Sequence, residues 1–174
     1  ENVQFNNSAA APAIFFDTIV QVRSLTTFTD GIVSQSSSDD EFRIGFTGTA
    51  GTVTRDAGCS NLNGTADCFV YGATIRKYLP DATTFVIDGD DSGDQTLFPL
   101  GGTDGSGAYD YRPFYLGIST ALAADGEVAV NHTEAYPAWH LPANYNDDTW
   151  DGGTDVVGVS NSTWDVTTTV ASGT

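Results

Sequence analysis

Residues 13–22 read Ala-Ile-Phe-Phe-Asp-Thr-Ile-Val-Gln-Val, a segment dominated by aromatic and β-branched side chains. Such residues favour extended backbone, because their side chains pack well on a pleated surface. An apolar segment of this length predicts a strand that is buried on both faces. We therefore expect residues 13–22 to lie at the centre of a sheet.

Apolar and polar residues alternate along most of the remaining chain, which is typical of half-buried strands. The further strands are predicted at 25–33, 41–48, 51–55, 68–76, 83–88, 95–98, 112–118, 126–131, 154–160 and 163–170. Turn-forming pairs such as Asp30-Gly31 separate them, and only residues 118–124 favour a helical turn. Many short strands with frequent turns predict an all-β fold: an antiparallel β-sandwich or single jelly-roll barrel with long loops and little helix.

The chain has 174 residues, a length that suits one domain with a packed core. We expect residues 12–174 to form a single β-sandwich domain. Residues 1–11 differ, because they are small and uncharged after Glu1, with Val3 and Phe5 as apolar anchors. This segment is interpreted either as an arm that pairs with another subunit or as an edge strand of the same domain.

The chain is strongly acidic: 23 acidic and six basic residues give a formal net charge of −17, and Lys77 is the only lysine. Such a field repels nucleic acid, so direct binding to a genome is not expected. The screening length falls to about 3 Å at 1 M salt, where acidic residues no longer repel one another over long distances. The composition therefore favours a halophilic protein. An ordinary acidic secreted protein is the alternative. No apolar run is long enough for a spanning helix.

Cys59 and Cys68 flank a short polar loop, and both lie next to predicted strand ends. This arrangement predicts a disulfide that closes a hairpin, which points away from a reducing compartment. Two free thiols or half of a metal site are the alternatives, although a metal site usually has a closer cysteine pair and more ligands.

The sequence contains no motif of a known catalytic centre. His132 and His140 are the only histidines, and neither has the spacing of a zinc site. Glu127 and Glu134 are the candidates for a glycosidase pair, but acidic residues are abundant throughout the chain. We expect no catalytic residues and a protein that is not an enzyme.

Residues 88–94 resemble the start of a calcium-binding loop, with Asp88, Asp90 and Asp94 as oxygen ligands and a Gly at the sixth position. Pro99 stands where that loop needs its Glu, so the segment is not an EF-hand. A looser site for calcium or another cation remains a hypothesis, and a solvated acidic turn is the alternative. No cofactor is required by any other feature.

Four Asn-x-Ser/Thr sequons make N-glycosylation a further hypothesis. They begin at Asn6, Asn63, Asn131 and Asn161. A glycosylated surface would agree with a location outside the cytoplasm.

In size, composition and predicted class, the whole chain resembles the capsid proteins of haloarchaeal tailless icosahedral viruses. The features in common are the scarcity of lysine, the richness in Asp and Thr, and the short strands without a catalytic motif. The resemblance implies a single upright jelly roll in a virion shell around an internal membrane, with this chain as the smaller of two related capsid proteins. Its partners would be copies of itself and a related β-barrel subunit.

Two other functions are compatible with the sequence. The first is an extracellular filament or pilus subunit, in which residues 1–11 complete a neighbour's sheet by donor-strand exchange. The second is a carbohydrate-binding module that uses aromatic residues of the long 132–153 loop as a stacking platform. In an assembly, the contact residues would be Val3, Phe5, Trp139, Tyr145 and Trp150.

Overall fold

The chain is all-β, as the sequence predicted, and the described residues contain fifteen strands and no helix. The computed structural model describes residues 1–8, 12, 14–35, 40–60, 66–82, 84–87, 93–103, 107–133 and 162–170. Over these ranges, no helix exists that could cross a membrane.

The strands are short, and most of them alternate inward and outward side chains. In chain order they are β1 (Val3–Asn6), β2 (Ile14–Phe16), β3 (Val20–Val22), β4 (Leu25–Asp30), β5 (Ile32–Gln35), β6 (Glu41–Ile44), β7 (Thr52–Arg55), β8 (Phe69–Tyr71), β9 (Thr74–Leu79), β10 (Leu97–Phe98), β11 (Leu100–Thr103), β12 (Tyr109–Tyr111), β13 (Phe114–Tyr115), β14 (Gly126–Thr133) and β15 (Thr163–Val170).

The first nine strands belong to three sheets, and every third strand along the chain lies in the same sheet. Sheet 1 has the order β1-β4-β7, sheet 2 contains β2-β5-β8, and sheet 3 contains β3-β6-β9. All of these pairings are parallel. Each trio of strands is therefore one coil, and three coils stack into a three-sided parallel β-solenoid.

The later strands close one end of this stack. Strand β11 adds to sheet 2 in parallel with β8, and β12 then pairs antiparallel with β11. Strand β14 adds antiparallel to β9 on sheet 3, and β15 pairs antiparallel with β14. Strands β10 and β13 form a separate antiparallel pair. The direction of pairing thus changes where the coils end.

The expectation of an antiparallel sandwich or jelly roll is therefore wrong. Residues 13–22 are not one doubly buried strand, because β2 and β3 belong to different sheets and a corner at 17–19 separates them. Phe15 and Ile19 are exposed by 60% and 48%. The alternation of side chains predicts a strand, but it carries no information about the direction of the neighbouring strand.

The inward side chains of all three sheets meet in one hydrophobic core. Phe28 is fully buried, and its ring centroid lies 5.2 Å from that of Phe5 and 6.3 Å from that of Phe42. Phe5 and Phe28 are register partners on neighbouring strands, so their rings stack along sheet 1. Aromatic contacts of this kind add to the free energy gained from burying apolar area.

In the third coil, charged side chains replace apolar ones in the interior. Arg55 is the register partner of Phe28 and is also buried. Its guanidinium donates hydrogen bonds to the carbonyl oxygens of Cys68 and Asp67, at 3.0 and 2.9 Å, and lies 3.6 Å from the ring centroid of Tyr111. These contacts offset part of the free-energy cost of removing the charged side chain from water.

Lys77 is the second buried charge, and it stands in register with Ile44 on sheet 3. Its Nζ donates a hydrogen bond to the carbonyl oxygen of Gln95 at 2.9 Å and lies 5.1 Å from the ring centroid of Phe98. Burial lowers the pKa of Lys77 to about 7, and the nearby Asp94 carboxylate only partly opposes this effect. At pH 7 the folded protein therefore holds this lysine as a mixture of its protonated and neutral forms.

The disulfide predicted from the sequence is present and joins Cys59 to Cys68. We expect its reduction to lower the free energy of unfolding by roughly 2–3 kcal/mol, because it closes a loop of about ten residues in the unfolded chain. Urea unfolding with and without reductant measures the difference. A Cys59→Ser, Cys68→Ser variant should be as unstable as the reduced protein and insensitive to reductant. Equal stability of the oxidised and reduced chains would contradict the expectation.

Candidate functional site

A groove of about 250 Å³ lies on the outer face of sheet 3. Its walls include three arginines, two aromatic rings and a carboxylate, from Arg23, Arg43, Arg76, Phe46, Tyr78 and Glu127. Half of the six basic residues of this acidic chain therefore border one groove. We name it the arginine groove.

The register of sheet 3 brings these side chains together. Gln21 pairs with Arg43 between β3 and β6, and Arg43 pairs with Arg76 between β6 and β9. Side chains at paired positions of neighbouring strands point to the same face of a sheet. The three residues therefore form a row across the outer face, with Arg23 just beyond the end of β3.

Glu41 fixes the two central arginines. Its carboxylate accepts hydrogen bonds from Arg76 Nε and Nη2, at 3.0 and 2.7 Å, and from Arg43 Nε at 2.9 Å. Glu127 accepts a longer bond of 3.3 Å from Arg76 Nη1. The hydrogen bonds from Arg76 hold the pKa of Glu41 below its usual range, and the bond to Glu41 raises the pKa of Arg76. Glu41 and Arg76 are therefore both charged at neutral pH.

Arg23 lies above the ring of Phe46, with its guanidinium carbon 5.2 Å from the ring centroid. Among the described residues, no carboxylate lies within 4 Å of its guanidinium nitrogens. Arg23 is also exposed. Its guanidinium is thus able to meet an anion without first breaking an ion pair in the described part of the chain.

The wall beside Arg23 is a tight turn that begins at Gly45. The amide nitrogens of Phe46 and Thr49 each donate to the other's carbonyl oxygen, at 3.0 and 2.8 Å. Gly45 has a φ of +88°, and a Cβ there would lie 2.6 Å from the Thr49 carbonyl oxygen. Only glycine fits this position, so the turn holds Phe46 against the groove.

A second surface is the outer edge of the first coil, formed by β1, β2 and β3. Each of these strands is the outermost strand of its sheet among the described residues. None of their residues is charged, although the chain carries 29 acidic and basic residues in total. The exposed side chains of Phe15 and Ile19 adjoin this edge. We name it the first-coil edge.

The structure places the predicted contact residues Val3 and Phe5 inside the fold. Both are partly buried and pack against the core, and β1 pairs with β4 of the same chain. Segment 1–11 thus contributes an edge strand to its own fold. Trp139, Tyr145 and Trp150 lie outside the described residues.

Of the three predicted cation ligands, only Asp94 is among the described residues. Its carboxylate is buried and accepts hydrogen bonds from the amide nitrogen and the hydroxyl of Thr96, at 2.5 and 2.8 Å. Asp88 and Asp90 lie outside the described residues. The described hydrogen bonds of Asp94 thus stabilise the local structure around Thr96.

Another group of potential ligands is formed by Cys59, Asp67 and Cys68. Both sulfurs are consumed in the disulfide, so this group does not offer thiolate ligands.

The four sequons occupy different positions. Asn6 is exposed at the end of β1, whereas Asn131 is half-buried within β14. Asn63 and Asn161 lie outside the described residues. Of the two described sequons, Asn6 is the more accessible.

The candidate catalytic residues are not brought together in the described part of the chain. His132 is buried, its ring centroid lies 5.3 Å from that of Trp164, and burial lowers its pKa. Glu127 belongs to the arginine groove, where it contacts Arg76. His140 and Glu134 lie outside the described residues.

Sequence reasoning missed the arginine groove. The available signal was that Arg43 and Arg76 occupy outward positions in alternating strands, and that basic residues are rare in this chain. Their alignment became visible only with the register of sheet 3. Comparison of the chain with family models, curated proteins and solved structures gives no match.

Proposed function

We propose that this chain is a structural subunit of a large assembly outside the cytoplasm, in high salt, and acts by association rather than by turnover. The observation that carries the proposal is the uncharged first-coil edge. An unpaired strand edge is a template for another chain, and monomeric proteins commonly protect such edges with charged residues or proline. Strands β1, β2 and β3 contain neither.

Salt makes this association physically reasonable. Two copies with a net charge of −17 each repel one another over long distances in dilute buffer. At 1 M salt the screening length is about 3 Å, so the repulsion fades while apolar and backbone contacts at the edge remain. The disulfide supports a location outside a reducing compartment.

The assembly is a virion shell of a halophilic archaeal virus or an extracellular filament. The composition of the chain supports the shell, with a related β-subunit as partner. The first-coil edge supports the filament, because strand addition is a common mode of joining filament subunits. Electron microscopy of the native particle separates the two, since shells and filaments differ in outline.

We expect Phe15→Asp to weaken association without unfolding the subunit. Phe15 is exposed by 60% on β2, so the change costs little in the isolated fold but places a negative charge on the first-coil edge. Sedimentation velocity in molar NaCl measures the associated fraction. Val86→Asp is the matched control, because Val86 is exposed by 79% outside the first coil. Unchanged association of Phe15→Asp, or an equal loss with Val86→Asp, would refute a role for this edge.

A further inference from the structure

We propose that the arginine groove binds an acidic sugar, a sugar ring that carries one carboxylate. The inference does not rest on the proposed assembly role: the groove lies on the outer face of sheet 3 and shares Gln21 of β3 with the first-coil edge, whereas Phe15, which tests that edge, lies on β2 of sheet 2.

The charge of the groove matches a ligand with one negative charge. Arg43 pairs with Glu41, and Arg76 pairs with Glu41 and Glu127, which leaves Arg23 as the one arginine of the groove without an ion pair among the described residues. Arg76 donates hydrogen bonds to the carboxylates of Glu41 and Glu127. Arg23 has no carboxylate partner in the described part of the chain and is the residue that is placed to meet the ligand's carboxylate.

The presence of Glu127 argues against phosphate and other dense anions. A doubly charged ligand would be repelled by this carboxylate, which lines the groove and, among the described residues, is bound by one long hydrogen bond. A sugar hydroxyl, in contrast, can donate a hydrogen bond to it. Gln21 and Thr47 also line the groove and offer further polar atoms to hydroxyl groups.

The aromatic residues of the groove suit a sugar ring. The hydroxyl of Tyr78 donates to Asp125 Oδ2 at 2.7 Å, so its ring is held in place. Phe46 and Tyr78 both line the groove. A volume of about 250 Å³ is just below the roughly 300–1,000 Å³ that is typical of ligand pockets, which favours a single ring over a longer ligand.

The test is titration of the full chain in molar NaCl with glucuronate, followed by amide chemical shifts in NMR spectra. We expect saturable shifts at residues of the groove, with an affinity in the millimolar range. Glucose, inorganic phosphate and a short acidic peptide are the comparison ligands. Glucuronate should bind at least about tenfold more tightly than glucose, because a charged hydrogen bond is lost with the neutral sugar.

Arg23→Gln should weaken glucuronate binding about tenfold or more. Arg112→Gln is the control, because it makes the same change at an arginine that lies outside the groove and pairs with Asp110. Circular dichroism checks that both variants are folded.

Tighter binding of phosphate or of the peptide, equal binding of glucose, equal loss in Arg112→Gln, or no shift at all would each overturn the proposal. The Phe15→Asp variant should bind glucuronate normally, so failure of the assembly proposal and failure of this one are distinguishable.

Discussion

Raising the pH from about 7 to about 9.5 is expected to increase the free energy of unfolding by roughly 3 kcal/mol, because Lys77 changes its protonation on folding. In the folded protein, burial lowers the pKa of Lys77 from 10.5 to about 7. In the unfolded chain the lysine keeps its ordinary pKa and stays protonated through this range. The unfolded state then binds more protons than the folded state, and stability rises with pH.

Urea unfolding in molar salt at several pH values measures this slope. Lys77→Met should abolish it, since methionine has a similar length but no titrating group. Arg112→Met also removes one positive charge, but from a side chain that is 37% exposed, and it should keep the slope. A slope that persists in Lys77→Met would assign the effect to another group.

Truncation of Phe28 to alanine is expected to lower the free energy of unfolding by about 3–5 kcal/mol, because it removes a fully buried ring and leaves a cavity. The lost contacts include the stacked ring of Phe5 and the ring of Phe42. Chemical unfolding monitored by circular dichroism gives the difference.

Phe15→Ala provides the matched control for Phe28→Ala, because it makes the same chemical change at an exposed position of the first coil. We expect its effect to stay within about 0.5 kcal/mol, as is usual for surface substitutions. Similar losses for the two variants would mean that Phe28 does not lie in the core.

The alternation of β-branched and polar residues was sufficient to predict extended backbone over most strands. Thr74–Leu79, for example, alternates half-buried and buried residues through the whole of β9. The alternation did not show that predicted strands 13–22, 25–33 and 68–76 each cross from one sheet to another, and β11 and β12 were not predicted. The disulfide was also predictable, since two cysteines beside strand ends and separated by a short loop have few other partners. Both features are local, and local features are what a single sequence records most directly.

The stacking of coils was not predictable, because the coils have unequal lengths. Val20, Phe42 and Ile75 stand in register on sheet 3, yet they are 22 and then 33 residues apart. A solenoid is recognised in a sequence by a repeat of fixed length. Corners of different length remove that repeat, and strand alternation alone is equally compatible with antiparallel pairing.

The charged interior was overlooked for a different reason. Arg55 and Lys77 are in phase with the inward residues Val53 and Ile75, so the alternation did indicate that they point inward. Arginine and lysine are rarely buried unless they have partners. The partners of Arg55 are backbone carbonyls and a tyrosine ring from other parts of the chain, which the sequence does not bring together.

The two ends of the coil stack are different, and this gives the molecule a polarity. At one end of the stack, the strands of the first coil pair in parallel with those of the second coil. At the opposite end, β12, β14 and β15 form antiparallel pairs. A contact between two first coils is isologous, has a two-fold axis and stops at a dimer. A contact between a first coil and the opposite end of a neighbour is heterologous, and it repeats until a ring closes or a fibre grows. A dimer as the largest species in solution therefore identifies the first contact, and an unlimited series of oligomers identifies the second.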